Sequence, residues 1–121
     1  MPVKVYSAIP FGIEALAVDV EVDSAPGLRF FNIVGLGDKV VEESKDRIAA
    51  AIKNCGFIPY TSQNRRIIVS LAPADIKKEG PILDLPIALG YMLATSQIQF
   101  DPKGRVCVGE LSLDGTIRPV N

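Results

Sequence analysis

Residues Ile13 to Asp23 read IEALAVDVEVD, and their alternation decides the first half of the fold. Leu16, Val18, Val20 and Val22 fall on one face and Asp19, Glu21 and Asp23 on the other, the period of two that marks a half-buried antiparallel strand. Upstream, VKVYSAI (Val3 to Ile9) reads as its neighbour, joined through Pro10 to Gly12. Downstream, Ser24-Ala25-Pro26-Gly27 breaks the pattern, and LRFFNIVGL (Leu28 to Leu36) resumes it as a more thoroughly buried strand that runs into Gly35-Leu36-Gly37.

The period then changes to that of a helix. In DKVVEESKDRIAAAIKNCG the apolar residues Val41, Ile48, Ile52 and Cys55 recur at helical spacing. Asp38 is the expected N-cap, Glu42 and Glu43 suit the positive end, and Lys53 with Gly56 closes the helix. RRIIVSLA is a further strand, and APADIKKEGP a punctuated connection with room for one helical turn. The next helix begins near Asp84, because Pro86 is tolerated only in a first turn, and it runs to about Ser96. RVCVGELSLDGTIRPV reads as a hairpin turning at Asp114-Gly115. Strands, helix, strand, helix and hairpin, without a repeat or a flexible linker, predict a single α+β domain over residues 1–121, a mostly antiparallel sheet with helices on one face.

Composition narrows the chemistry. A chain of 121 residues with 48% hydrophobic and 22% charged residues can bury one core, and a formal charge of -1 gives no overall pull toward nucleic acid or an acidic membrane. There is no histidine, and Cys55 and Cys107 are the only cysteines, so zinc sites of the Cys/His type and imidazole-based triads are excluded; a reducing cytoplasm is the expected setting. The apolar runs are shorter than the ~20 residues of a membrane span, and Met-Pro-Val-Lys opens no signal core, so the expectation is a soluble, unexported protein without a membrane partner.

Three stretches could carry function. Gly35-x-Gly37 before a helix is half of a dinucleotide fingerprint, but Val40 stands where the third small residue belongs, and Asp38 would set a carboxylate against the pyrophosphate. A tight turn and a capped helix explain it, with no cofactor site. Arg65 and Arg66 before one strand and Lys77 and Lys78 after it are the candidate contact for nucleic acid or a partner; adjacent strand residues face opposite ways, and the pairs sit at opposite ends, so solvated edge charge is the default. The third stretch is KKEGPILDLPIALG (Lys77 to Gly90): Gly80-Pro81 turns the chain, Asp84 caps the helix, and Ile82 stands where a nucleophile could have been. No catalytic residue and no metal ligand set is predicted.

KKEGPILDLPIALG followed by VGELSLDGTIRPV resembles the proteolytic domain of Lon proteases, in which a Gly-Pro loop presents a serine and a later Gly-Glu hairpin leads to the helix bearing its lysine partner. More closely, GLRFFNIVGLGDKVVEESKDRIAAAIKNCGF, RRIIVSLAPADIKKEGPILDLPIALG and VGELSLDGTIRPV are similar to the N-terminal domain of bacterial magnesium-chelatase-like ATPases of the ComM type, over nearly the whole chain. LAPADIKKEG separates this family from the RadA-like repair ATPases, whose related domain shares GELSLDGTIRPV. The resemblance implies a Lon-like fold, shared with the second domain of a small ribosomal subunit protein, ahead of an AAA+ module beyond residue 121. It further implies ATP and Mg for the full-length protein, its own AAA+ module and DNA as partners, assembly into an oligomer, and a role in natural transformation or recombination. Within the chain itself no Gly-x-x-x-x-Gly-Lys-Ser/Thr loop is present, and a serine-lysine dyad cannot form around Ile82; Ser70 and Ser112 read as strand residues away from that turn. The expected role is a non-catalytic accessory domain used for assembly, motor contact or DNA handling. The competing readings are an autonomous DNA-binding module and a Ser/Lys peptidase with a relocated nucleophile.

Overall fold

The computed structural model describes residues 2–73 and 81–118. Strands β1 (Val3–Phe11), β2 (Glu14–Pro26), β3 (Phe30–Val34) and β4 (Arg65–Ala72) form one sheet in the order β1-β2-β4-β3. Helix α1 (Asp38–Asn54) connects β3 to β4, helix α2 (Asp84–Ala94) follows β4, and β5 (Glu110–Leu111) and β6 (Ile117–Arg118) make a separate two-stranded hairpin.

The alternation in β2 holds. Val18, Val20 and Val22 are fully buried, and the antiparallel register with β1 sets Val5 opposite Val20 and Ser7 opposite Val18 on the same face. On β4, Ile67, Val69 and Leu71 continue this inner face, with Val22 opposite Val69. The strands run longer than their punctuation suggests. β1 reaches Phe11, which leaves Gly12-Ile13 as a two-residue turn whose left-handed Gly12 (φ 64°) suits such a loop. β2 continues through Ser24-Ala25 to Pro26, because Ser24 points inward and its hydroxyl accepts from Arg65 Nε at 2.6 Å.

One expectation is corrected at β3. It is an edge strand with alternating burial rather than a thoroughly buried one: Phe31 and Ile33 point inward, while Phe30 and Val34 face out. It also pairs with β4 in parallel, against the antiparallel pairings of β1 with β2 and β2 with β4. The helix between β3 and β4 is the reason, since it carries the chain back to the starting end of the sheet. The sheet is therefore mixed and mostly antiparallel, with one face buried under both helices, and the α+β class stands.

α1 lays Val41, Ser44, Ile48, Ala51 and Ile52 on the core and shows most of its charge to solvent. Gly37, not Asp38, occupies its N-cap position; Asp38 is the first helical residue and makes no capping bond. The C-terminus closes as the sequence indicates. Gly56 is left-handed (φ 86°), its amide donates to the Lys53 carbonyl, and the Phe57 amide donates to the Ile52 carbonyl, both at 3.1 Å, the paired bonds of a Schellman motif. Gly35 owes its identity to close packing. Its φ is 111°, and a Cβ there would stand 2.9 Å from the Leu71 carbonyl oxygen.

α2 lies directly on β1 and β2. Gly90 permits this, since a Cβ at that position would come within 2.6 Å of Val22 Cγ2. Ile87 and Tyr91 are fully buried beside it, and the Tyr91 hydroxyl donates to the Ile58 carbonyl and accepts from Gln63 Nε2, each at 2.7 Å, pinning the connection between α1 and β4.

Candidate functional site

α2 starts after a single 3-10 turn, Pro81–Leu83. Lys77, Lys78 and Gly80 lie outside the described residues. Ile82 is half-buried against the core, with no hydroxyl or amine in its place. Asp84 does not cap the helix: Leu83 holds the N-cap position, no side-chain cap bond forms, and Asp84 is the first helical residue with 0% of its surface exposed. Its carboxylate is taken by α1. Oδ2 accepts from Arg47 Nε at 2.6 Å, and Oδ1 accepts from Arg47 Nη2 and from Ser44 Oγ, each at 3.2 Å. Arg47 Nη2 also donates to Ser44 Oγ at 3.1 Å, which closes the triangle.

Ser44 and Arg47 are three residues apart, hence neighbours on one helix face, and Ser44 falls on the buried stripe between Val41 and Ile48. Nonlocal capture by a bidentate guanidinium displaced the local cap, because a carboxylate out of water needs a charged partner more than one amide. Burial pushes the Asp84 carboxyl above its ordinary range, while the bonds from Arg47 and Ser44 pull it back toward the ionised form. The bond to Asp84 raises Arg47 in turn, so the guanidinium stays charged. With both carboxylate oxygens bonded and the Ser44 hydroxyl donating and accepting at 0% exposure, the cluster offers neither an open general base nor an accessible nucleophile. It is a strut between the two helices.

The β5-β6 hairpin docks on this strut. The Leu85 amide donates to the Gly109 carbonyl at 3.4 Å, and a Cβ on Gly109 would meet Leu85 Cδ2 at 2.9 Å. At the far end Asn54 Nδ2 donates to the Leu113 carbonyl at 2.6 Å, and a Cβ on Gly115 (φ 91°) would lie 2.3 Å from Cys55 Sγ. The two glycines of GELSLDG are therefore points of contact with α2 and α1. The turn is longer than Asp114-Gly115: Ser112 to Thr116 connect the strands, and Asp114 Oδ1 accepts from the Thr116 amide at 2.9 Å.

Between the hairpin, the end of α1 and the side of α2 turned from the sheet lies an apolar cleft of about 130 Å³, walled by residues that include Phe57, Leu85, Leu89, Met92 and Ile117, with Cys55 at its edge. Among the described residues no three His, Cys, Asp or Glu side chains converge as a metal site would require, and no helix is long and apolar enough to cross a membrane.

The basic candidates separate. Arg65 turns inward to Ser24, while Arg66 lies exposed on the outer face of the sheet, its guanidinium 4.4 Å from the centre of the Phe30 ring. Asp19, Glu21 and Asp23 share that outer face, and Lys4 reaches toward two of them, 3.8 Å from Asp19 and 3.7 Å from Glu21. Ser70 is exposed there too, away from the turn at Ile82, and Ser112 belongs to the hairpin turn rather than to a strand. Sequence reasoning missed Ser44 and Arg47. The signal was a serine and an arginine set three apart beside an apolar stripe.

The model of the family described as the ChlI subunit of Mg-chelatase matches residues 20–121. Competence protein ComM of Haemophilus influenzae is 42% identical over 118 residues, which is 97% of this chain and 23% of that protein. Protein YifB of Escherichia coli is 38% identical over 117 residues, 96% of this chain and 22% of that protein. A Mycobacterium tuberculosis protein is 33% identical, again over 97% of this chain and 23% of its own length. The chain thus spans less than a quarter of the curated relatives it matches.

Proposed function

The chain belongs to the family of the ChlI subunit of Mg-chelatase, and on that premise we propose that it serves as the N-terminal, non-catalytic accessory domain of a longer ComM-type ATPase. One observation carries this reading above the others. Asp84, the ionisable side chain among the described residues of the turn where a peptidase of the Lon type would present its serine, is fully buried and spent on Arg47 and Ser44, and Ile82 near it has no reactive atom. The turn works as scaffold. Relatives more than four times as long have room for an AAA+ module that binds ATP and Mg and assembles into an oligomer, and this domain would hold that module or guide its substrate.

The test is made on the natural full-length protein, on the same protein lacking residues 1–121, and on residues 1–121 alone. Mg-dependent ATP hydrolysis is expected in the first and, with altered rate or assembly, in the second. Residues 1–121 alone should hydrolyse neither ATP nor peptide and should take up no serine-directed fluorophosphonate. Stoichiometric labelling of any serine in that piece, lost on its change to alanine, overturns the reading.

Contact with DNA is a second reading, favoured by the exposed Arg66 stacked on Phe30 and by the name of the Haemophilus relative, a competence protein. The acidic residues on the same face weigh against it. If Arg66 does touch phosphate, Arg66→Glu should weaken binding of the full-length protein to single-stranded DNA and flatten its salt dependence; unchanged binding removes the reading.

A further inference from the structure

We propose that the cleft between α1, α2 and the β5-β6 hairpin is the seat of the chain that follows residue 121 in the longer protein, an apolar side chain of that segment filling it. The proposal rests on the reading of this chain as part of a longer ATPase. It begins with the composition of α2. From Leu85 to Ala94 the helix reads LPIALGYMLA, with no charged residue, and a helix that is apolar all round needs cover on every side. The sheet covers the side of Ile87, Gly90 and Tyr91, all buried. On the other side Leu85, Leu89 and Met92 are only half-buried, and they form the cleft wall.

Among the described residues the cleft is open on one side rather than closed. Phe57 and Ile117 on its rim keep 37% and 56% of their surface in water, a cost that a partner would remove. None of the described lining residues is charged, so the seat suits an apolar occupant. A space of about 130 Å³ is close to the ~150 Å³ apolar cavity that accepts a benzene ring, which suits one bulky side chain and not a cofactor. The chain's own path singles out the occupant. Ile117 lines the cleft and lies only four residues before position 121, so the chain beyond 121 is tethered close to the rim at high effective concentration, an advantage that a second copy or a separate protein lacks.

Cys55 is exposed on the cleft wall and reports on cover. In the full-length protein, alkylation of Cys55 by a maleimide, read by peptide mass spectrometry, should be roughly tenfold slower than in Leu89→Asp, where a charge in the seat expels the cover; Val106→Asp, exposed and outside the cleft, should leave the parent rate. A photoreactive phenylalanine analogue in place of Ile117 should cross-link within one chain, to a residue beyond 121. Equal Cys55 rates in parent and Leu89→Asp overturn the proposal. So does protection that fades on dilution, or a cross-link between chains, since either assigns the cleft to a second copy. ATP hydrolysis measured on the same sample separates the two failures: a hydrolysing protein with an open Cys55 sinks the seat alone, whereas an inactive protein sinks the reading beneath it.

Discussion

Helices α1 and α2 cover the same face of one sheet, but they are different kinds of helix. α1 is amphipathic: a stripe from Val41 to Ile52 meets the core, and Lys39, Glu42, Glu43, Asp46 and Lys53 stand in water. α2 has a single charged residue, Asp84, and buries it. The contrast teaches that α1 divides its surface between core and water, whereas α2 is composed like a core helix whose second side, among the described residues, lines the half-covered cleft. The one charged contact between them, Arg47 to Asp84, sits where the two kinds meet.

The sharpest way to break this comparison is to remove the charge from one helix only. Arg47→Met should cost about 3 to 5 kcal/mol, because it leaves the Asp84 carboxylate buried without its cation. Adding Asp84→Leu should return most of that loss, since a strut between helices can be apolar. Urea denaturation of parent, single and double variants decides it, and a double variant no better than Arg47→Met would show that the carboxylate does more than join the helices.

Next in size is Gly90→Ala, expected to destabilise by about 1 to 3 kcal/mol by forcing α2 away from Val22. A matching Val22→Ala should recover part of the loss if close approach is the reason for the glycine. Gly115→Ala is expected to cost a similar or somewhat smaller amount, roughly 1 to 2 kcal/mol, from its left-handed backbone and its contact with Cys55. That effect should appear as loosened docking of the hairpin, read by hydrogen exchange at the Leu85 and Ser112 amides.

The smallest effect sharpens the view of α1 as an ordinary surface helix. Asp38→Ala removes a charge at the helix N-terminus but no capping bond, so its cost should stay within about 0.3 to 1 kcal/mol and fade with added salt. A larger, salt-insensitive loss in thermal melts would mean that the carboxylate bonds an amide after all.

Much of the architecture was legible because it follows from short-range rules. The alternation from Leu16 to Val22 states which side of β2 is buried, and Gly56 after the apolar stripe marks the end of α1, since only a residue at ease in the left-handed region makes that closure without strain. Pro86 placed the start of α2 at Asp84 for an equally local reason. The fate of Asp84 was not legible in the same way. Read locally, an aspartate at a helix start is a cap; its real partners come from α1, 37 and 40 residues earlier.

The amino-acid order by itself therefore determined the sequence of strands and helices, where both helices begin, which faces are apolar, and that the turn before α2 has no serine. Those are matters of backbone conformation and periodicity within a few residues. Tertiary structure alone decided that β3 runs parallel to β4, that Arg65 takes Ser24 and Arg66 takes Phe30 as its partner, and that Asp84 binds Arg47. Each of these joins residues far apart in the chain, and a buried charge or an unpaired strand edge takes its partner from whatever the packing of the sheet and helices brings within a bond length.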